Sequence, residues 1–462
     1  MRKRVILLAL LSGMLLLLLS GCQGLGDFKV FKSAEELYAL PALPEDYSEL
    51  NATIQSVMGG IGAEYAAPTS GSNTAAVQLL DLDGDNTQES AAVFLRVTNA
   101  ETELPLKIYL LRKGSDGSYR ATYILEGEGN AINSIVYEDL TGDGRREVVV
   151  SWQLASGVYM LSVYGLGQPG AAEIMYTTYN ESYTLSDLDG DGCKELVVIS
   201  GQSSVFYAEY YDYFNGGVTM LASAPLSANV ADVESVVVGQ LTGKVPALYI
   251  TSSCTVDQTQ VVDILTVREG ALVNVTRRED SGISSGTMRM TTTLGAADMN
   301  GDGALELPTP FDLPKFDPLA VSNPSYNRIV YWRQYDERGE STITSVTYHS
   351  LADGWYLFIP HDWVGQMVVE RNDALAIRGE QAVRFCRYDS GTGQRQVFLT
   401  IYRLTGDNRT ARALINERQM LTSTATTVYA AEFTPVDWES GMTMTELKDQ
   451  FELITQSWSS SS

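Results

Sequence analysis

Three observations predict a mainly β protein. Short runs rich in Val, Ile and Tyr recur through the middle of the chain, bounded by Gly, Ser and Asn. A nine-residue, mostly acidic motif starts at residues 81, 139, 187, 240 and 298, that is 58, 48, 53 and 58 residues apart. Each interval holds about four of the runs, and four strands per repeat is the blade of a β-propeller. The expectation is therefore a five-bladed β-propeller over residues 46–350, followed by a small α+β domain over 351–462. Six or seven blades would require residues 46–66 to contribute, and Leu50 to Met58 reads instead as a short helix.

The N-terminus reads as an export signal. Arg2, Lys3 and Arg4 precede an apolar stretch from Val5 to Leu19, too short for a spanning helix, and Leu19-Ser20-Gly21-Cys22 follows. That tetrapeptide resembles the bacterial lipobox, which implies removal of residues 1–21 and a lipidated Cys22 at the mature N-terminus. Two acyl chains hold a protein on a membrane where one does not. Residues 22–45 then read as the tether, and the expected location is extracytoplasmic, anchored to the cell membrane.

Composition removes several function classes. The 57 Asp and Glu against 32 Lys and Arg give a net charge of −25, which repels phosphate backbones and leaves nucleic acid a poor partner. Only His349 and His361 are present, so His-based zinc or triad chemistry has little to build on. Cys193, Cys254 and Cys386 form no CxxC pair and read as free, mostly buried thiols.

The strands can be placed in order. The second repeat reads Ile132–Glu138, Val148–Trp152, Tyr159–Tyr164 and Ala172–Tyr179. The third reads Tyr183–Ser186, Leu196–Ser200, Phe206–Phe214 and Val218–Ala222, and the fourth Glu234–Val238, Ala247–Thr251, Val261–Val267 and Leu272–Thr276. Ile108–Arg112 and Ile329–Gln334 are the third strands of the first and fifth. Two stretches, Arg277–Met288 and the proline-rich Leu307–Tyr326, read as long loops, suited either to binding or to covering.

Each motif lies between a first and a second strand. Oxygen-bearing residues at positions 1, 3, 5 and 9, with Gly at 4, let a tight turn converge on one hard cation, and position 7 adds its backbone carbonyl. The candidate ligands are Asp81, Asp83, Asp85, Thr87 and Glu89 in the first loop, and Asp139, Thr141, Asp143, Arg145 and Glu147 in the second. They are Asp187, Asp189, Asp191, Cys193 and Glu195 in the third, and Asp298, Asn300, Asp302, Ala304 and Glu306 in the fifth. So many oxygens suit Ca²⁺ better than Zn²⁺, and Mg²⁺ demands a stricter octahedron. Up to four structural Ca²⁺ ions are expected. The fourth copy, Gln240 to Leu248, has Lys244 at position 5 and reads as a metal-free turn. An EF-hand would need a carboxylate at position 12, where Ala92, Val150, Val198 and Thr309 stand.

A calcium loop between two strands, repeated in this way, resembles the FG-GAP/VCBS repeat family, whose members fold as propellers like the head of integrin alpha subunits. The Phe-Gly and Gly-Ala-Pro signatures are missing, so the resemblance implies a scaffold and no integrin-like ligand.

Beyond residue 350, Trp355–Pro360, Met367–Glu370, Ala382–Tyr388, Gln396–Arg403 and Thr426–Phe433 read as strands. Thr443 to Glu446 is a capping box opening a helix with Leu447, Phe451, Ile454 and Trp458 on one stripe. Residues 354–363 are faintly similar to the openings of PsbP-like domains. His361 beside Asp362 lacks a nucleophile in any recognisable setting and reads as a surface or turn residue. Two function classes follow. One is a lipid-anchored binding or adhesion module presenting loops to a cell-envelope glycan or protein. The other is a calcium-dependent polysaccharide lyase or hydrolase on a propeller scaffold.

Overall fold

Alternation of buried and exposed side chains along β-branched runs is what makes these segments pair. In Glu147–Ala155 the run Val148, Val149 and Val150 is fully buried, which marks a strand covered on both faces. The computed structural model describes residues 47–98, 104–167, 170–202, 205–256, 258–290, 292–314, 327–374 and 376–454. Strand accounts for 54% and helix for 8%. Cys22 and the expected signal lie outside the described residues, among which no helix is long and apolar enough to cross a membrane.

Six antiparallel sheets of four or five strands follow one another along the chain. The first sheet holds β1 (Ala63–Tyr65), β2 (Val77–Leu80), β3 (Ser90–Val97), β4 (Leu106–Lys113) and β5 (Tyr119–Gly127). The second holds β6 (Ala131–Glu138), β7 (Glu147–Ala155), β8 (Val158–Leu166) and β9 (Ala171–Tyr179). The third holds β10 (Ser182–Ser186), β11 (Glu195–Gln202), β12 (Val205–Phe214) and β13 (Gly217–Pro225). The fourth is β14 (Val230–Leu241), β15 (Val245–Cys254), β16 (Thr259–Arg268) and β17 (Ala271–Asn274), with β18 (Arg289–Met290) pairing β16. The expected strands of the second to fourth repeats thus sit where the sequence puts them, with ends shifted by a few residues.

The fifth and sixth sheets depart from expectation. The fifth runs β19 (Glu306–Asp312), β20 (Arg328–Tyr335), β21 (Ser341–Ser350), β22 (Trp355–Phe358) and, from much later in the chain, β28 (Phe451–Leu453). The strand expected to open a C-terminal domain at Trp355 is therefore the fourth strand of the fifth sheet. Its first strand is reduced to one bridge, Ala297 to Glu306. Leu307–Asp312, expected as loop because of Pro308 and Pro310, is strand; β19 takes the edge place in the order, where a residue without an N–H is tolerated. The sixth sheet comes from β23 (Met367–Asn372), β24 (Glu380–Tyr388), β25 (Arg395–Thr405), β26 (Gln419–Ser423) and β27 (Thr427–Phe433). Residues 47–66 supply a helix and the short edge strand β1, not a separate sheet.

Each sheet packs its apolar side chains on the next. Phe94, Ile108 and Leu110 of the first meet Ile135, Val148 and Trp152 of the second. Val149, Leu161 and Val163 of the second meet Leu196 and Val198 of the third, and Val197 and Ile199 of the third meet Leu248, Ile250 and Val261 of the fourth. Tyr249 and Ile264 meet Leu307 and Tyr335 of the fifth, and Ile329, Tyr348 and Trp355 of the fifth meet Phe385, Phe398 and Ile401 of the sixth. Each such side chain contributes about 1.5–3 kcal/mol on leaving water.

The helix α1 (Ser48–Ile61) and residues 113–120 form a compact unit apart from Gly62–Arg112 and the chain from Ala121 onward. Within it, Thr53 Oγ1 donates to the Tyr119 carbonyl at 3.4 Å. Near the C-terminus the capping box is present, with Thr443 accepting from the Glu446 N–H. The helix it opens, α2 (Met444–Gln450), stops where Phe451 turns extended, at φ −95° and ψ 122°. Leu447 is buried on it, Phe451 belongs to β28, and Trp458 lies outside the described residues. His361 is exposed in a 3-10 turn. Cys193, Cys254 and Cys386 are free, the last two buried.

Candidate metal centre

The acidic loops occupy equivalent places: between β2 and β3, β6 and β7, β10 and β11, and immediately before β19. Their internal bonding repeats. The position-1 carboxylate accepts the N–H of positions 4 and 6: Gly190 and Gly192 on Asp187 at 2.7 and 3.2 Å, Gly142 and Gly144 on Asp139 at 2.8 Å each. Gly84 and Asn86 do the same on Asp81, and Gly301 and Gly303 on Asp298. Both donor glycines of the third loop are left-handed, with φ of 82° at Gly190 and 96° at Gly192, conformations a side chain resists. The position-5 carboxylate accepts the position-7 N–H: Thr87 on Asp85, Arg145 on Asp143, Cys193 on Asp191 and Ala304 on Asp302. In the second, third and fifth loops the position-9 Glu accepts the position-2 N–H, from Leu140, Leu188 and Met299. Backbone N–H groups thus use both oxygens of each position-1 carboxylate and one oxygen of each position-5 carboxylate and of these position-9 carboxylates, leaving the second oxygen of the latter two to other partners.

Those remaining oxygens distinguish the loops. In the third, Asp187, Asp189, Asp191 and Glu195 each bring one carboxylate oxygen within 4.8 Å of the others. Glu195 is 1% exposed; its Oε2 accepts Leu188 N at 2.7 Å, and its Oε1 is buried without a hydrogen bond. Burial, with the carboxylates of Asp189, Asp212 and Asp187, pushes its carboxyl up to about 7. No Lys or Arg among the described residues forms an ion pair with these acids; Lys194 reaches out to Glu138 Oε2 at 2.7 Å instead.

In the first loop Asp81, Asp83 and Asp85 form a similar group. Here Arg112 on β4 pairs with Asp83 Oδ2 at 2.5 Å and stands 3.6 Å from Glu89 Oε1. The Thr87 hydroxyl bridges Asp85 and Glu89 and holds the Asp85 carboxyl below the usual range. Asp83 Oδ1 and Glu89 Oε1 are buried without hydrogen bonds, as is Thr141 Oγ1 at the third position of the second loop. Glu147 there accepts both Leu140 and Thr141 N–H groups.

The fifth loop is closed by an amide. Gln334 Nε2, on β20, donates to both Asp302 oxygens at 3.0 and 2.9 Å and to Glu306 Oε1 at 3.2 Å. Asn300 Nδ2 adds a bond to Asp302 at 2.9 Å. The fourth copy is a plain hairpin turn closed by Leu241 and Val245, with Lys244 exposed at φ 63°.

Neighbouring loops touch. Arg146 N donates to Leu82 O at 2.9 Å, and a Cβ on Gly84 would lie 2.4 Å from the Gly144 carbonyl oxygen. A Cβ on Gly142 would lie 2.9 Å from Cys193 Sγ, and Leu305 N donates to Gln240 O at 2.9 Å. A cleft of ≈ 310 Å³ beside the first loop is lined by Leu82, Asp83, Glu89, Arg112, Tyr123 and Leu166, among others. At the opposite strand ends Tyr159 stacks on Tyr179 at 5.1 Å, and the Tyr179 hydroxyl meets Ser151 at 2.6 Å. The expected loop Arg277–Met288 is pinned through Ser284, whose Oγ donates to the buried Asp263 carboxylate at 2.5 Å. Arg112, Asp212 and Gln334 lie outside every motif; only strand register brings them to the loops.

No family model and no curated protein matches the chain. Among solved structures it is similar to rhamnogalacturonan lyase YesW, at 14% identity and TM-score 0.29, over 68% of this chain and 66% of that one. The exotype rhamnogalacturonan lyase YesX is 12% identical, with TM-score 0.28, over 73% of this chain and 65% of that one. The Dos1 propeller is 9% identical, with TM-score 0.26, over 75% of each chain. The chain thus spans just under two thirds of each of the two lyases.

Proposed function

We propose that this protein is a lipid-anchored, extracytoplasmic binding module whose FG-GAP/VCBS-type propeller is stiffened by Ca²⁺. The observation that carries the calcium reading is Glu195 Oε1, buried and unbonded beside Asp187, Asp189 and Asp191. A buried carboxylate oxygen without a donor, among like charges, is costly unless a cation meets it. The first loop holds two more buried carboxylate oxygens without hydrogen bonds, Asp83 Oδ1 and Glu89 Oε1, with Arg112 beside them. All-oxygen donors on a flexible turn favour Ca²⁺ over Zn²⁺ or Mg²⁺. Such an ion would be held by Asp187, Asp189, Asp191 and Glu195 with the Cys193 carbonyl, and it would fix the turn between β10 and β11. The repeated sheets, each packed on the next with its loop at one place, support blades.

Calorimetry of the protein with CaCl₂, and melting in CaCl₂ against EDTA, test this reading. Heat of binding and a raised Tm are expected. Absence of both rejects it. Release from membranes on replacing Cys22 tests the anchor.

The cleft beside the first loop favours a second reading, the calcium-dependent polysaccharide lyase. It places the Arg112 guanidinium and the Tyr123 ring with Asp83 and Glu89. A cation to neutralise a uronate and a group to take a proton are what β-elimination requires. Unsaturated product from acidic polysaccharide would favour the lyase; stable glycan capture without turnover favours the module.

A further inference from the structure

In the second, third and fifth sheets the position-9 Glu opens β7, β11 or β19, which pairs antiparallel with the next strand. The residue directly across therefore shares its side of the sheet, with Cβ atoms about 4.5–5.5 Å apart. In the fifth sheet Glu306 is paired with Gln334, whose amide fills the loop. In the third, Leu196 pairs with Tyr211, so the next step sets Glu195 across from Asp212. In the second, Val148 pairs with Tyr164, and the next step sets Glu147 across from Gly165, which has no side chain. In the first, Arg112 pairs with Ser90, one step along from Glu89, and reaches Asp83.

We propose that the third-strand residue at this position, or in the first sheet its neighbour Arg112, sets how strongly each loop holds a divalent cation. Asp212 adds a fifth negative charge to the third loop and makes it the tightest site. Gly165 leaves the second loop to its own ligands. Arg112 weakens the first by competing for Asp83. Gln334 closes the fifth. The grading rests on the calcium reading above, and the site where an acid, with no cation or amide, stands across from the position-9 Glu is the one where Glu195 Oε1 is buried without a hydrogen bond. Charge sums of this kind act strongly because unit charges a few ångströms apart interact by several kcal/mol in a partly buried setting.

The experiment is calcium titration calorimetry on the full chain in detergent, with Glu195→Gln, Asp212→Asn and Gln334→Glu alongside. Wild type should show its tightest site lost in Glu195→Gln and weakened about tenfold or more in Asp212→Asn. Gln334→Glu, which replaces the closing amide by an acid, should gain one site. Binding lost in Glu195→Gln but unchanged in Asp212→Asn, with no site gained in Gln334→Glu, overturns the grading and leaves the calcium reading standing. No binding by the wild type overturns both. The gain expected of Gln334→Glu keeps the test decisive even where Asp212→Asn folds poorly.

Discussion

Arg371 and Asp353 form a buried, two-pronged ion pair, Nη1 to Oδ2 at 2.6 Å and Nη2 to Oδ1 at 3.0 Å, with 4% and 2% of the side chains exposed. Arg371 lies on β23 of the sixth sheet; Asp353 lies in the turn between β21 and β22 of the fifth, and its carbonyl accepts the Tyr429 hydroxyl at 2.7 Å. Removing the carboxylate takes two bonds from a buried guanidinium whose Nε keeps Asp373 Oδ2 at 2.7 Å. Asp353→Ala is expected to cost about 3–5 kcal/mol, read as a lowered denaturant midpoint, and Asp353→Asn less. An unchanged midpoint in Asp353→Ala would show that the pair holds nothing together.

Asp263 is wholly buried and accepts four bonds, from Ser227 N, Ser227 Oγ, Asn274 Nδ2 and Ser284 Oγ. All four donors lie outside its own strand, and through Ser284 this one carboxylate ties the segment 277–288 to the fourth sheet. Asp263→Ala should lose about 3 kcal/mol and, more tellingly, speed amide exchange around Ser284. Exchange there as slow as in wild type would show that the segment is held by other contacts.

The Glu195 carboxyl gives a pH dependence with a definite sign. Its folded value is raised from 4.5 to about 7, so without cation the folded state holds the proton more tightly than the unfolded one. The stability this contributes is present at low pH and is lost as pH rises from 4.5 to about 7. In EDTA, Tm should therefore fall across that window, and Ca²⁺ should remove the fall. A Tm in EDTA that is flat or rising across it contradicts the assignment.

Glu195→Gln should reverse sign with conditions. In EDTA above neutral pH it removes an unpaired buried charge and is expected to raise Tm. With Ca²⁺ present it removes a ligand and is expected to lower Tm relative to wild type. The same direction in both buffers would mean that Glu195 acts only through packing.

The acidic loops were legible because each turn is written in nine consecutive residues, and its strands follow from β-branched runs beside it. Most of what lay outside sequence reasoning has one cause, pairing between segments remote in the chain. Trp355–Phe358 joins the fifth sheet because Thr347 to Ser350 pairs with it on one side and Phe451 to Leu453 on the other. Nothing within residues 351–360 states that, and a boundary at 350 was the natural reading. Arg112, Asp212 and Gln334 were invisible for the same reason, being ordinary strand residues until register sets them beside a loop. Pro308 and Pro310 misled differently: they exclude a central strand, and Leu307 to Asp312 is an edge one.

Cys193 sits at position 7 of the third loop as the one part-exposed free thiol among the described cysteines. Burial, and then the carboxylates of Asp191, Asp139, Glu195 and Asp212, raise its pKa and keep it protonated. Only the thiolate reacts quickly with maleimides, and a cation among those acids would lower the thiol's pKa. The chain therefore carries its own label for loop occupancy: alkylation at Cys193 should quicken when the third loop fills, while buried Cys254 and Cys386 stay silent.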